Sequence, residues 1–132
     1  MSYKIKSTEN EEIEVFLEEI VGLTAEAEER FLKRAAKVVK KNVVRNLNVS
    51  RTKNNDPRYK HMADDVRYRI IKDRYGSKVA RIRGGKKTGT KWHLVNDGTY
   101  RSRATHFMDV ALHQSETEIE QIFEEEMKRG GF

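Results

Sequence analysis

The stretch from Thr24 to Leu47 constrains the fold more than any other. Phe31, Ala35, Val38, Val39, Val43 and Leu47 recur at three- and four-residue steps, the signature of one buried stripe along a long helix. Thr24 stands where a cap belongs, its hydroxyl available to a free backbone N–H of the first turn. Glu26, Glu28 and Glu29 lie in the first turns and Lys37, Lys40 and Lys41 towards the end, the order that the helix dipole favours. A helix with a single apolar stripe must lay it against another layer, so the remaining segments have to supply one.

The supply of apolar residues is lean. Of 132 residues, 36% are hydrophobic and 36% charged, with a mean hydropathy of −0.85. Such a length fits one domain spanning residues 1–132, with a small core and a surface suited to burial against a partner. The net charge of +6 conceals three blocks. Residues 1–30 hold three basic and nine acidic side chains, residues 31–103 hold 22 and five, and residues 104–132 hold two and seven. An acidic, basic, acidic order suits nucleic acid at the middle, or like molecules meeting acidic face to basic face. With no cysteine, disulfides, thiolate metal sites and thiol nucleophiles are excluded. No apolar run approaches the ~20 residues of a membrane span and the amino terminus lacks a signal-peptide core, so a cytoplasmic protein is expected.

The other elements follow in order. Thr8-Glu9-Asn10-Glu11 is a capping-box pattern that predicts a short helix carrying Ile13, Phe16, Leu17 and Ile20 up to Gly22. Past the long helix, residues 48–60 read as a mobile basic loop around Pro57, followed by a helical turn over His61 to Val66. Val66, Tyr68 and Ile70 then alternate with Arg67, Arg69 and Lys72 as a strand, Tyr75 to Lys78 turns, and Val79 and Ile82 mark the return strand. After a second basic loop at 84–91, Trp92, Leu94 and Val95 predict a third strand, closed by the Asp97-Gly98 turn. A third loop at 100–105 leads to a last helix from about Phe107, carrying Met108, Ala111, Leu112, Ile119, Ile122, Phe123 and Met127. Ser115 to Glu118 repeats the capping box, predicting a kink or restart. The expected class is α+β, a small antiparallel sheet of three or four strands packed against long N-terminal and C-terminal helices. The sheet's other face would project Arg67, Arg69, Arg81 and Arg83 together as a contact surface.

Several constellations invite chemistry. His61, Asp64 and Asp65 resemble part of a metal or nuclease cluster, yet no further ligands stand at motif spacing, and either Asp suits a cap or turn. His93, His106 and His113 with Asp97 or Asp109 allow an acid–base pair, but no serine has a nucleophile-elbow context. Gly84-Gly85-Lys86-Lys87-Thr88-Gly89 has glycines and lysines as a phosphate loop does, without Walker A spacing or a following helix. Tyr59, Tyr68, Tyr75 and Tyr100 interleaved with the basic middle fit nucleic-acid binding, whereas solvated loops and protein contacts account for the same charges. No cofactor and no metal are expected.

The run His93-Leu94-Val95-Asn96-Asp97-Gly98-Thr99, a short basic loop, then Thr105-His106-Phe107-Met108 before a last helix resembles the phage neck family of small tail-completion, or tail-to-head joining, proteins of long-tailed bacteriophages. The Gly-Thr and Phe-Met elements match, while Thr105-His106 stands where that family often has proline. The order of elements agrees along nearly the whole chain. The resemblance implies a non-enzymatic virion protein, put together in the host cytoplasm. It would form a homo-oligomeric ring of six between head connector and tail tube, with no membrane partner. The candidate interface or DNA-facing residues are then Arg67, Arg69, Arg81, Arg83, Lys86, Lys87, Arg101 and Arg103, the lumen loops presenting positive charge to passing DNA. A basic nucleic-acid-binding protein is the alternative, and a small metal-dependent nuclease using His61, Asp64 and Asp65 a further one.

Overall fold

A computed structural model describes residues 3–7, 12–17, 24–49, 64–72, 78–85, 92 and 107–129. Its elements, in chain order, are β1 (Tyr3–Ser7), β2 (Ile13–Leu17), α1 (Ala25–Val49), β3 (Val66–Lys72), β4 (Lys78–Gly84) and α2 (Phe107–Arg129). The strands form a four-stranded antiparallel sheet in the order β1-β2-β4-β3, and the two helices pack together over one of its faces. The α+β class, an antiparallel sheet and the two long helices are as the sequence predicts, while of the four strands only β3 and β4 were expected and β1 was missed.

Alternation decides which face meets the helices. Tyr68 pairs with Ile82, Ile70 with Ala80, Ile13 with Ile82 and Val15 with Ala80, so these side chains share one face and enter the core. From α1 the core takes Phe31, Leu32, Ala35, Ala36, Val38, Val39, Val43 and Leu47, which includes the whole predicted stripe. The cap also forms as expected: the Ala27 N–H donates to Thr24 Oγ1 at 3.1 Å. Tyr3, Phe31 and Phe123 make an aromatic trio with centroids 5.3–5.6 Å apart, tying β1 to both helices.

The helix–helix seam is partly polar. Glu126 of α2, fully buried, accepts from Arg30 Nε at 3.2 Å and Arg34 Nη1 at 3.1 Å. Deeper along the seam, Asn42 Nδ2 donates to Ser115 Oγ at 2.8 Å, and that hydroxyl donates to the Ala111 carbonyl at 2.6 Å. The predicted kink at Ser115 is therefore corrected: α2 runs unbroken, because the Ser115 hydroxyl bonds back one turn and across to α1 instead of capping a new helix.

Two further expectations change. The short helix predicted between Thr8 and Gly22 is, over Ile13–Leu17, the strand β2. Ile13 and Val15 alternate with Glu12 and Glu14, and pairing on both sides with β1 and β4 outweighs the helical spacing of Ile13, Phe16 and Leu17. Trp92, expected to open a third strand, has helical conformation and stands outside the sheet, fully buried with its ring edge-on to Phe107 at 5.2 Å. The loop limits also move inward, since Asn48 and Val49 end α1 and Gly84 ends β4. Gly85 follows β4, and the remainder of the loops at 48–60, 84–91 and 100–105, the Thr8 capping box, the Tyr75 turn and the Asp97-Gly98 turn lie outside the described residues.

Candidate functional site

The face of the sheet turned away from the helices carries the charged residues of each alternation, with Phe16, Val79 and Ile71 at one end of it. On β3 and β4, Arg67 is the cross-strand partner of Arg83, and Arg69 of Arg81. Facing residues in an antiparallel pair have Cβ atoms roughly 4.5–5.5 Å apart, so four guanidinium groups leave the sheet from adjoining positions. The predicted gathering of Arg67, Arg69, Arg81 and Arg83 on one face is thus what the register produces. Lys86, Lys87, Arg101 and Arg103 lie outside the described residues.

Two carboxylates that the sequence reading placed in a helix enter this face, Glu14 from β2 and Glu12 from the residue before it. Glu12 Oε2 lies 2.9 Å from Arg81 Nε and its Oε1 3.8 Å from Arg83 Nη1, while Glu14 Oε1 accepts from Arg81 Nη2 at 3.4 Å. The signal for them was the alternation Glu12-Ile13-Glu14-Val15. Because β2 borders β4 and not β3, the carboxylates reach the β4 arginines first. The outer column stays open: the Arg67 side chain is 65% exposed, against 33% for Arg81, and Arg69 is exposed as well. Arg67 Nε lies 3.9 Å from the Asp65 carboxylate. Beyond β2, Lys4 and Lys6 of β1 occupy the same outer face, with Lys6 Nζ 5.4 Å from the centre of the Phe16 ring. Across the sheet one row of this face therefore runs Lys6, Glu14, Arg81, Arg69, and the next runs Lys4, Phe16, Val79, Ile71.

The opposite charge gathers on α2, where Asp109, Glu116, Glu118, Glu124 and Glu125 are exposed. Lys41 and Arg34 of α1 neutralise Glu118 and Glu125, at 3.1 Å and 2.6 Å. The exposed carboxylates of α2 thus belong to the helix layer on the other side of the sheet from the arginines, and α1 beside them exposes Lys33, Lys37 and Arg45.

The other candidate chemistries find little to stand on. Asp65 is buried at the start of β3, where its carbonyl accepts from the Gly85 N–H at 2.8 Å and its carboxylate fills the space a Gly85 side chain would need. It serves the β3–β4 junction. Among the described residues no three His, Asp or Glu side chains converge as metal ligands. His61, His93 and His106 lie outside those residues, and His113 is an exposed helix residue 3.9 Å from Glu116. Tyr68 faces inward, with Lys40 Nζ 5.9 Å from its ring centre, so it is not displayed for base stacking. No described helix is long and apolar enough to cross a membrane.

A family model described as "Bacteriophage HK97-gp10, putative tail-component" matches residues 11–98, about two thirds of the chain and all of the sheet but β1. No curated protein and no solved structure matches.

Proposed function

The chain belongs to the HK97-gp10-like family of bacteriophage tail components, and from that premise we propose that it completes the tail and joins it to the head connector as a ring of six like subunits. It works by shape and charge, without catalysis, and is put together in the host cytoplasm before it enters the virion. The observation that carries this reading is the two pairs of facing arginines on β3 and β4, on the sheet face turned away from the helix layer in which α2 carries its exposed carboxylates. Unlike faces on opposite sides of one subunit suit heterologous contacts, which form a ring when the rotation closes. The same arginines suit the phosphates of DNA passing through such a ring, the exposed Arg67 and Arg69 above all.

Light scattering over a range of protein and salt concentrations, with sedimentation alongside purified tails, tests the reading. Tail-bound protein, or a ring weakened by salt, is the expected result. A monomer that ignores tails and binds DNA with steep salt dependence would instead favour the basic nucleic-acid-binding protein, for which the exposed β3 arginines also speak.

A further inference from the structure

The sheet has a second feature at its far edge. Among the described residues β1 pairs with β2 alone, so its other side presents backbone N–H and C=O groups without strand partners. Along that edge runs a groove of about 680 Å³ between β1, which contributes Tyr3, Lys4 and Ile5, and α2, which contributes Glu116, Glu120 and Glu124. These carboxylates recur every four residues on one side of the helix. The Tyr3 hydroxyl donates to Glu120 Oε2 at 2.7 Å. Burial first, then Glu120 with Glu116 and Glu124 behind it, holds that phenol protonated well above the usual tyrosine range, so all three carboxylates bear on the β1 end of the groove.

Spacing and charge together define what fits. Residues four apart on a helix advance about 6 Å along its axis, and alternate residues of a strand advance about 6.6–6.8 Å, so a row of alternate side chains on an added strand can meet the carboxylates one for one. We propose that this groove receives an extended segment of another protein as a further strand on β1, with basic side chains at alternate positions against Glu116, Glu120 and Glu124. The intervening side chains fall on the face that carries Lys4 and Lys6, where basic residues are disfavoured and neutral or acidic ones accepted. Backbone pairing supplies affinity and the alternation supplies selectivity.

This goes beyond the joining role, and either can fail while the other stands. The probe is a short blocked peptide in which Lys and Thr alternate, titrated into the full chain at low salt, against a peptide of the same composition with its lysines clustered at one end. The alternating peptide should bind saturably, about tenfold more tightly than the clustered one, and should slow hydrogen exchange at the β1 amides. Glu116 and Glu124 are exposed, so the variant carrying Glu116→Gln and Glu124→Gln should fold normally and lose about tenfold in affinity. Equal affinity for the two peptides, unchanged exchange at β1, or indifference to the double substitution would overturn the proposal.

Discussion

Arg69 and Arg81 stand directly opposite each other across the β3–β4 ladder, and Arg67 and Arg83 repeat the arrangement at the next outward-facing position. Like charges at facing positions weaken a strand pair, and only the β4 members have Glu12 and Glu14 beside them. The Arg67 side chain, on the edge strand, is the more exposed of its pair. For a chain folding alone this arrangement is a liability. In the joining role proposed above, that liability is offset by contact with something negatively charged, whether carboxylates on α2 of another subunit or the backbone of DNA.

Removing one of these charges should therefore stabilise the isolated protein. Arg69→Gln keeps length and polarity and is expected to raise unfolding stability by about 0.2–1 kcal/mol, read as a higher urea midpoint at unchanged slope. Lower stability would mean that Arg69 is held by favourable contacts within the fold, and the tension inferred for this face would disappear.

Glu126 should behave in the opposite way. It is fully buried and holds Arg30 and Arg34, whose side chains are 40% exposed and can regain water if released. That exposure moderates the cost of losing a buried pair, so Glu126→Gln is expected to destabilise by about 1–3 kcal/mol. Glu125→Gln removes an exposed partner of the same Arg34 and should cost under about 1 kcal/mol. Chemical denaturation of both variants checks the contrast, and equal effects would refute it.

Gly85 is required by closeness and not by rotation. A Cβ there would overlap the Asp65 carboxylate, next to the bond from the Gly85 N–H to the Asp65 carbonyl. Gly85→Ala should cost about 1–3 kcal/mol. In a thermal-melt cycle with Asp65→Ala, the two losses should sum to more than the loss in the double variant, because the smaller side chain makes room. Simple additivity would remove the steric explanation.

Tyr3 gives the fold an alkaline limit. Its folded-state pKa is raised by burial and by the Glu120 hydrogen bond, so the native state keeps the phenolic proton after the unfolded chain has released it. That contribution is complete below the unfolded value of about 10 and is lost as pH rises above it. Wild type should therefore lose stability relative to Tyr3→Phe between about pH 10 and 11. Parallel curves for the two proteins across that interval would contradict this.

How much of this was legible in the sequence depended on how local the deciding physics was. The α1 stripe, the Thr24 cap and the Arg67 to Lys72 alternation are properties of single segments, and each appears where its pattern lies. The strand β2 was hidden because Ile13, Phe16 and Leu17 fit a helix equally well, and only pairing with β1 and β4 breaks the tie. For the same reason the four arginines could be placed on one face, but Glu12 and Glu14 between them could not. Ser115 has a capping sequence, and Asn42, distant in the chain, turns it into a buried link between helices. The groove beside β1 needed two elements more than a hundred residues apart in sequence to meet, as Tyr3 and Glu120 do.

The most direct test of the joining role is attachment of filled heads to tails assembled without this protein, counted by electron microscopy after adding it back. Wild-type protein is predicted to restore attachment, and the variant carrying Arg67→Glu and Arg69→Glu, folded by circular dichroism, to restore far less. Heads and tails that join equally well without the protein, or a charge-reversed variant as active as wild type, would contradict the account.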